Sequence, residues 1–196
     1  MSIEIRRATG AEVADYLEDA ARLRISVFRE FPYLYDGDVA SERDYLGHYV
    51  ECPRSVFVIA ICDGRVRGVS TGLPLAEADE SFQAPFLGAD LAPSEWFYCG
   101  ESVLDHAWRG KGIGHRFFDE REAHARELGL VKTCFCSVKR EVGHPLFPEA
   151  YRPNDVFWTK RGYLKRPDLS ARFVWKQVDS AGEEQNELVF WTRDKA

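Results

Sequence analysis

The sequence predicts one α/β domain, a central mixed sheet of six or seven strands with helices on both faces. Three observations carry that class. Asp63-Gly64 separates two apolar, β-branched runs, Ser55 to Cys62 and Arg65 to Leu73, in the manner of a tight hairpin. Trp96 to Leu104 and Val131 to Val138 read as strands flanking a helical stretch from Gly112 to Leu128, which implies a parallel pair joined by a right-handed crossover. The 196 residues suit a single unit, spanning residues 1–196, that buries a core without disulfides or metal.

The elements follow in order. Ile3 and Ile5 alternate with Glu4 and Arg6 as an opening strand, and Thr9 caps a helix over Ala11 to Arg29. Glu30 to Asp38 is aromatic but broken by Pro32 and Gly37, so a short second helix is expected only over Glu42 to Tyr49. Pro74 to Ser94, rich in Pro, Ala and acid, predicts a surface excursion or lid that shapes one side of a site. Gly129 ends the long helix. Asn154 or Asp155 caps a short helix ending at Arg161-Gly162, and Ala171 to Val178 and Leu188 to Arg193 supply the last strands.

Composition excludes several classes. With 32 acidic against 26 basic side chains, the net charge of −6 repels a long polyanion, so nucleic acid is not expected as a partner. Hydrophobic residues at 45% exclude a disordered chain, yet no apolar run is long enough for a membrane span, and no export leader is expected. The five cysteines (Cys52, Cys62, Cys99, Cys134, Cys136) are odd in number and lie mostly in apolar runs, which fits a reducing cytoplasm.

The informative segment is Arg109-Gly110-Lys111-Gly112-Ile113-Gly114, three glycines at alternate positions where a helix must start. Unpaired amides and the positive end of the helix dipole meet there, and glycine lets an anion touch the backbone while Arg109 and Lys111 add charge. A pyrophosphate fits that description, and a merely structural strand-to-helix turn is the alternative. The dinucleotide fingerprint fails because His115 stands where its third glycine belongs, and the triphosphate loop fails because no Gly-Lys-Ser or Gly-Lys-Thr occurs.

In this loop the chain resembles the GNAT superfamily of acyl-CoA-dependent acyltransferases, whose hallmark is [RQ]-x-x-G-x-[GA] between strand and helix. The resemblance extends upstream to Val103-Leu104, downstream through Phe117 and Phe118, and to Phe157-Trp158-Thr159-Lys160-Arg161-Gly162-Tyr163, which is similar to a late family pattern. It implies a donor acyl-CoA, most often acetyl-CoA, held by Arg109 to Gly114 and paired along its pantetheine arm with the backbone of Val103 and Leu104. It further implies direct attack by an amine-bearing acceptor, a small molecule or a protein, and no metal. A homodimer stays open, as does a catalytically inactive acyl-CoA-binding sensor or interaction module.

Acyl transfer to an amine needs a proton acceptor, and Glu101 is the candidate because it interrupts a strand expected to be covered on both faces. Its rival role is a structural ion pair with Arg121, which falls on the apolar face of the following helix with Phe117 and Phe118. Strand alternation sets Tyr98, Gly100 and Ser102 on the face opposite Glu101, which makes Tyr98 the reserve candidate. The family's usual acid is a Tyr at the position of Trp158, so Tyr151, Tyr163, Cys136 or water must replace it. Tyr33 and Tyr35, backed by Asp36 and Asp38, make an aromatic wall with an acidic rim for the acceptor, and Phe31 is expected to pack helix against sheet. His144 is an acceptor contact or a structural loop residue. Cys134 and Cys136 point to one side of their strand, but the C-x₂-C spacing of a zinc site is missing, so they read as core.

Overall fold

The computed structural model describes residues 2–141 and 143–194. Seven strands form one sheet: β1 (Ile3–Thr9), β2 (Val56–Cys62), β3 (Arg65–Pro74), β4 (Trp96–Leu104), β5 (Lys132–Val138), β6 (Leu164–Lys176) and β7 (Glu183–Arg193). Their order is β1-β2-β3-β4-β5-β7-β6. Among the described residues β4 and β5, joined by a crossover through α4, pair parallel, and the other neighbours pair antiparallel.

Five α-helices cover the sheet: α1 (Leu17–Phe28), α2 (Val39–Glu51), α3 (Glu80–Gly88), α4 (Ile113–Glu127) and α5 (Asp155–Lys160). Ala20 and Leu23 of α1, Leu46 of α2 and Phe82 of α3 pack on one face of the sheet. Ile113, Phe117 and Phe118 of α4, with Phe157 of α5, pack on the other. The Asp63-Gly64 turn has positive φ at both residues (49° and 74°), the backbone a type I′ hairpin demands.

Four sequence expectations change. The first helix opens with a 3-10 segment, Gly10–Tyr16, and becomes α-helical only at Leu17. The second is longer than expected because Asp38 caps it, accepting from the amides of Ala40 and Ser41 at 2.9 and 3.1 Å. Pro74 to Ser94 is not a surface excursion. It holds α3, started by Asp79 accepting from the Ser81 amide at 2.9 Å, and its Phe86 sinks edge-on between Trp96 and Phe190. Nine residues interrupted by Pro85 are too short to show a helical period. Finally, β6 begins at Leu164, well before Ala171, because Pro167 sits at a register shift between Arg166 and Ser170 on the edge strand, where a missing donor is tolerated.

All five cysteines are buried and free. Among the described residues no helix is long and apolar enough to cross a membrane.

Candidate active site

The site originates in two irregularities of β4. The first is a bulge. Ser102 pairs with Ser70 and Cys99 with Gly72, so Gly100 and Glu101 together oppose Thr71. One extra residue reverses the alternation: Phe97 and Cys99 face α4, whereas Glu101 and Val103 share the opposite face with Tyr98. Gly100 is required there, because a Cβ would collide with the Thr71 and Tyr49 hydroxyls. The second irregularity is a parting of strands. β4 and β5 pair only from Trp96↔Lys132 to Tyr98↔Cys134 and then diverge.

The gap opens into a cavity of about 1420 Å³ that runs through the sheet, reaching Tyr98 and Phe82 on one side and Phe117 and Phe118 on the other. Gly100, Ser102 and Leu104 line one bank of the gap, and Cys136, Ser137 and Val138 the other. The Tyr98 hydroxyl and the Cys136 thiol meet at 3.3 Å. Burial pushes the Cys136 thiol up to about 12 and raises the Tyr98 phenol as well, so both stay neutral and neither is an activated nucleophile.

On the α4 side the cavity ends at the glycine turn. Gly110 and Gly112 have positive φ (73° and 80°), and a Cβ at either would meet open space. Among the described residues, the amides of Gly110, Gly112, Ile113 and Gly114 find no protein acceptor, so the head of α4 is a set of N–H groups facing a void. Gly110, Gly112 and Gly114 line the cavity with Leu104 and Arg109. The Arg109 guanidinium donates to the Leu104 carbonyl at 3.2 Å and pairs with Glu30 at 3.0 Å. The Lys111 ammonium stands 4.7 Å from the centre of the Trp108 ring. Val103 and Ile113 are buried beneath the wall.

On the far side lies a chamber whose centre is Glu101, buried but touching the cavity. Its partner is Arg24 of α1, not Arg121. Arg24 also pairs with Glu42 of α2, while Tyr45 and Thr71 donate to the two Glu101 oxygens at 2.5 Å each. Arg121 lies across the sheet and spends its guanidinium on the backbone carbonyls of Glu101 (3.1 Å) and Thr71 (3.2 Å). The bulge is the reason: it turns the carboxylate away from α4. Burial alone would raise Glu101, but the Arg24 charge and the Thr71 and Tyr45 hydrogen bonds outweigh it and hold the carboxyl below its ordinary value. Burial likewise opposes the Arg24 charge, and Glu101, Tyr45 and Glu42 more than restore it.

Tyr33, Tyr35 and Tyr98 line this chamber; His144 does not. His144 instead packs edge-on against Phe31 and accepts from the Leu146 amide at 3.2 Å. Phe31 meets Phe147 and Tyr151 of the same loop rather than bracing a helix on the sheet. The expected acidic rim is also spent elsewhere, since Asp36 pairs with Arg29 and with Lys176 (2.8 Å), and Asp38 caps α2. Tyr163 is fully buried on the α4 face, bonded to Thr133 (2.9 Å) and Glu122 (3.2 Å), which removes it from the list of acids. Trp158 packs on Phe135 and Trp191.

Arg24, Glu42 and Tyr45 were missed in the sequence, though a signal existed. Arg24 shares a helical stripe with Ala20, Val27 and Phe28, and Glu42 shares one with Leu46 and Tyr49, the same anomaly that singled out Arg121.

No protein-family model matches the chain, and no curated protein matches it in sequence. Solved structures do match. An N-acetyltransferase from Staphylococcus aureus Mu50 superposes with a TM-score of 0.62 at 14% identity, covering 99% of each chain. An acyl-CoA N-acyltransferase from Pseudomonas aeruginosa gives 0.60 at 15%, covering 98% of this chain and 99% of that one. An acetyltransferase of the GNAT family from Staphylococcus aureus Mu50 gives 0.57 at 15%, covering 98% of each. At such identities what is shared is the course of the backbone, and that course, from the opening strand to the final hairpin, is the fold of the GNAT N-acetyltransferases, which this chain has.

Proposed function

We propose that the protein transfers an acyl group, most simply acetyl, from acyl-CoA to an amine by direct attack. One observation supports this above the others: the gap between β4 and β5 joins a cradle of unpaired amides on one side of the sheet to an aromatic-walled chamber on the other. The amides of Gly110 to Gly114 would take the donor's pyrophosphate, with the α4 dipole adding roughly 0.3–1 kcal/mol. Beyond Tyr98 the edge of β4 facing β5 has no strand partner among the described residues. The Asp105 amide bonds the Arg67 carbonyl of β3, so by alternation Val103 is turned to β3, and the neighbouring backbone of Leu104 and Ser102 would offer ladder groups to the amide-bearing pantetheine arm, as a sheet edge accepts an added strand. Threaded that way, the thioester arrives between Tyr98 and Glu101.

In the reaction the C–N bond forms, the C–S bond breaks, the amine loses a proton and the thiolate gains one. Glu101, kept ionised by Arg24, faces the amine and accepts its proton, passing it on to water because its low basicity does not retain it. Tyr151 lines the cavity and is the group we assign to protonating the thiolate, since Tyr163 is bonded elsewhere. Trp158 at the usual acid position favours a second reading, an acyl-CoA-binding module without turnover.

Calorimetry with coenzyme A and release of free thiol from acetyl-CoA in the presence of amines separate these readings. Saturable, amine-dependent release supports the enzyme; binding without release supports the module; absence of binding removes both. E101Q is expected to lower kcat by about 10²-fold, the low end for loss of a general base because Glu101 is weakly basic, with coenzyme A affinity unchanged. An unaltered kcat would retire Glu101 from catalysis.

A further inference from the structure

We infer that the acceptor is a small cationic amine carrying an aromatic or similarly bulky apolar group and no carboxylate. This rests on the acyl-transfer reading above and names the class of molecule its chamber would take.

The chamber's walls are rings. Tyr33, Tyr35, Phe82, Phe173 and Trp175 surround it, with Tyr45 and Tyr98 beside Glu101. Tyr33 stacks on Phe28 at 4.2 Å, and Phe82 packs on both Tyr98 and Phe173 at 4.6 Å, so the faces are held in place by neighbouring rings. Burial raises the Tyr33 phenol, and burial with Glu42 pushes Tyr35 up to about 12, so these walls stay uncharged at physiological pH. A flat apolar group has surfaces to lie against.

The charges inside the chamber are Arg24, Glu42 and Glu101, two carboxylates to one guanidinium. Arg24 holds both carboxylates and lies over the Tyr45 ring at 4.3 Å, so it has no counter-charge to spare for an incoming anion. Of the other cations that line the cavity, Arg109 pairs with Glu30, Lys165 with Asp155, Arg121 is held by backbone carbonyls across the sheet, and Arg152 sits at the exposed rim with its guanidinium on the Tyr151 carbonyl. An ammonium would complete the charge balance of the trio and face π surfaces, whereas a carboxylate would meet two of its own kind in a desolvated space. Asp36 and Asp38, bonded within the fold, do not change that balance.

Three probes isolate the two features. 2-Phenylethylamine and L-phenylalanine differ by one carboxylate, and 2-phenylethylamine and n-propylamine differ in the ring. With acetyl-CoA, kcat/KM for 2-phenylethylamine is expected to exceed that for n-propylamine by about tenfold or more, and that for L-phenylalanine by about 100-fold. E42Q is expected to raise KM for 2-phenylethylamine about tenfold with coenzyme A affinity unchanged, and W175L, on the wall away from the ion cluster, to do the same without touching the charges. Equal or better turnover of L-phenylalanine, or indifference to the ring, overturns the inference while leaving acyl transfer intact. Calorimetry of 2-phenylethylamine into the coenzyme A complex covers an inactive protein: binding there supports the chamber's specificity and counts against catalysis, and no binding overturns the specificity. Failure to bind coenzyme A is read separately and falls on the acyl-transfer proposal.

Discussion

Glu101 shows how one side chain is governed by its partners. Its carboxyl is held below the ordinary value, so the unfolded chain binds the proton more readily than the native one, and stability rises with pH. That contribution is complete above the ordinary carboxylate pKa of about 4.3 and disappears as pH falls through the lower native value. The urea midpoint of the wild type should therefore drop more steeply between about pH 5 and pH 3 than that of E101Q, and parallel curves would contradict the assignment. R24M leaves Glu42 and Glu101 buried without a cation and should cost about 3–5 kcal/mol in the same assay. At Gly112 backbone and ligand both count: φ at 80° strains any side chain, and open space where a Cβ would lie means that side chain also fills the cradle. G112A should therefore lower the urea midpoint and weaken coenzyme A by about tenfold or more, the second effect read by calorimetry on the folded variant. That glycine was legible in the sequence because a backbone requirement leaves a visible residue type. The partner of Glu101 was not, because a charged residue on a helical stripe announces burial without saying which sheet face it will meet.

At the scale of elements, the hairpin β2–β3 and the unit β4–α4–β5 were readable, since turn chemistry and period-2 runs are local. α3 was hidden for the opposite reason. Its two buried rings, Phe82 and Phe86, are justified by Trp96, Tyr98, Phe173 and Phe190, residues outside the helix's own stretch of sequence. Phe82 also forms part of the chamber wall, so F82A should cost about 3 kcal/mol of stability and raise KM for an aromatic amine, with coenzyme A affinity preserved. A variant that loses stability but keeps its KM would confine Phe82 to packing.

For the whole molecule, the two halves of the site lie on opposite faces of one sheet and communicate only where β4 and β5 part. On the proposed reading, this arrangement would separate donor recognition, carried by backbone amides with Arg109 and Lys111 beside them, from acceptor recognition, carried almost entirely by side chains. The glycine turn was accordingly legible in a six-residue motif, while the aromatic chamber draws on α1, α2, α3, β4 and β6 and no contiguous stretch describes it.

The bulge at Gly100 makes the address of the carboxylate a matter of parity. Counted from Trp96, Glu101 has the odd step that ought to seat it among the phenylalanines of α4, and a single surplus residue sends it to the other side. Shortening β4 by that residue would remove the surplus step and the bulge together and leave Glu101 on the side of Tyr98 and Arg24, whereas ironing out the bulge with every residue kept would deliver a bare anion into hydrocarbon, with Arg24 abandoned across the sheet. In this protein the chemistry is inherited through spacing as much as through residue identity.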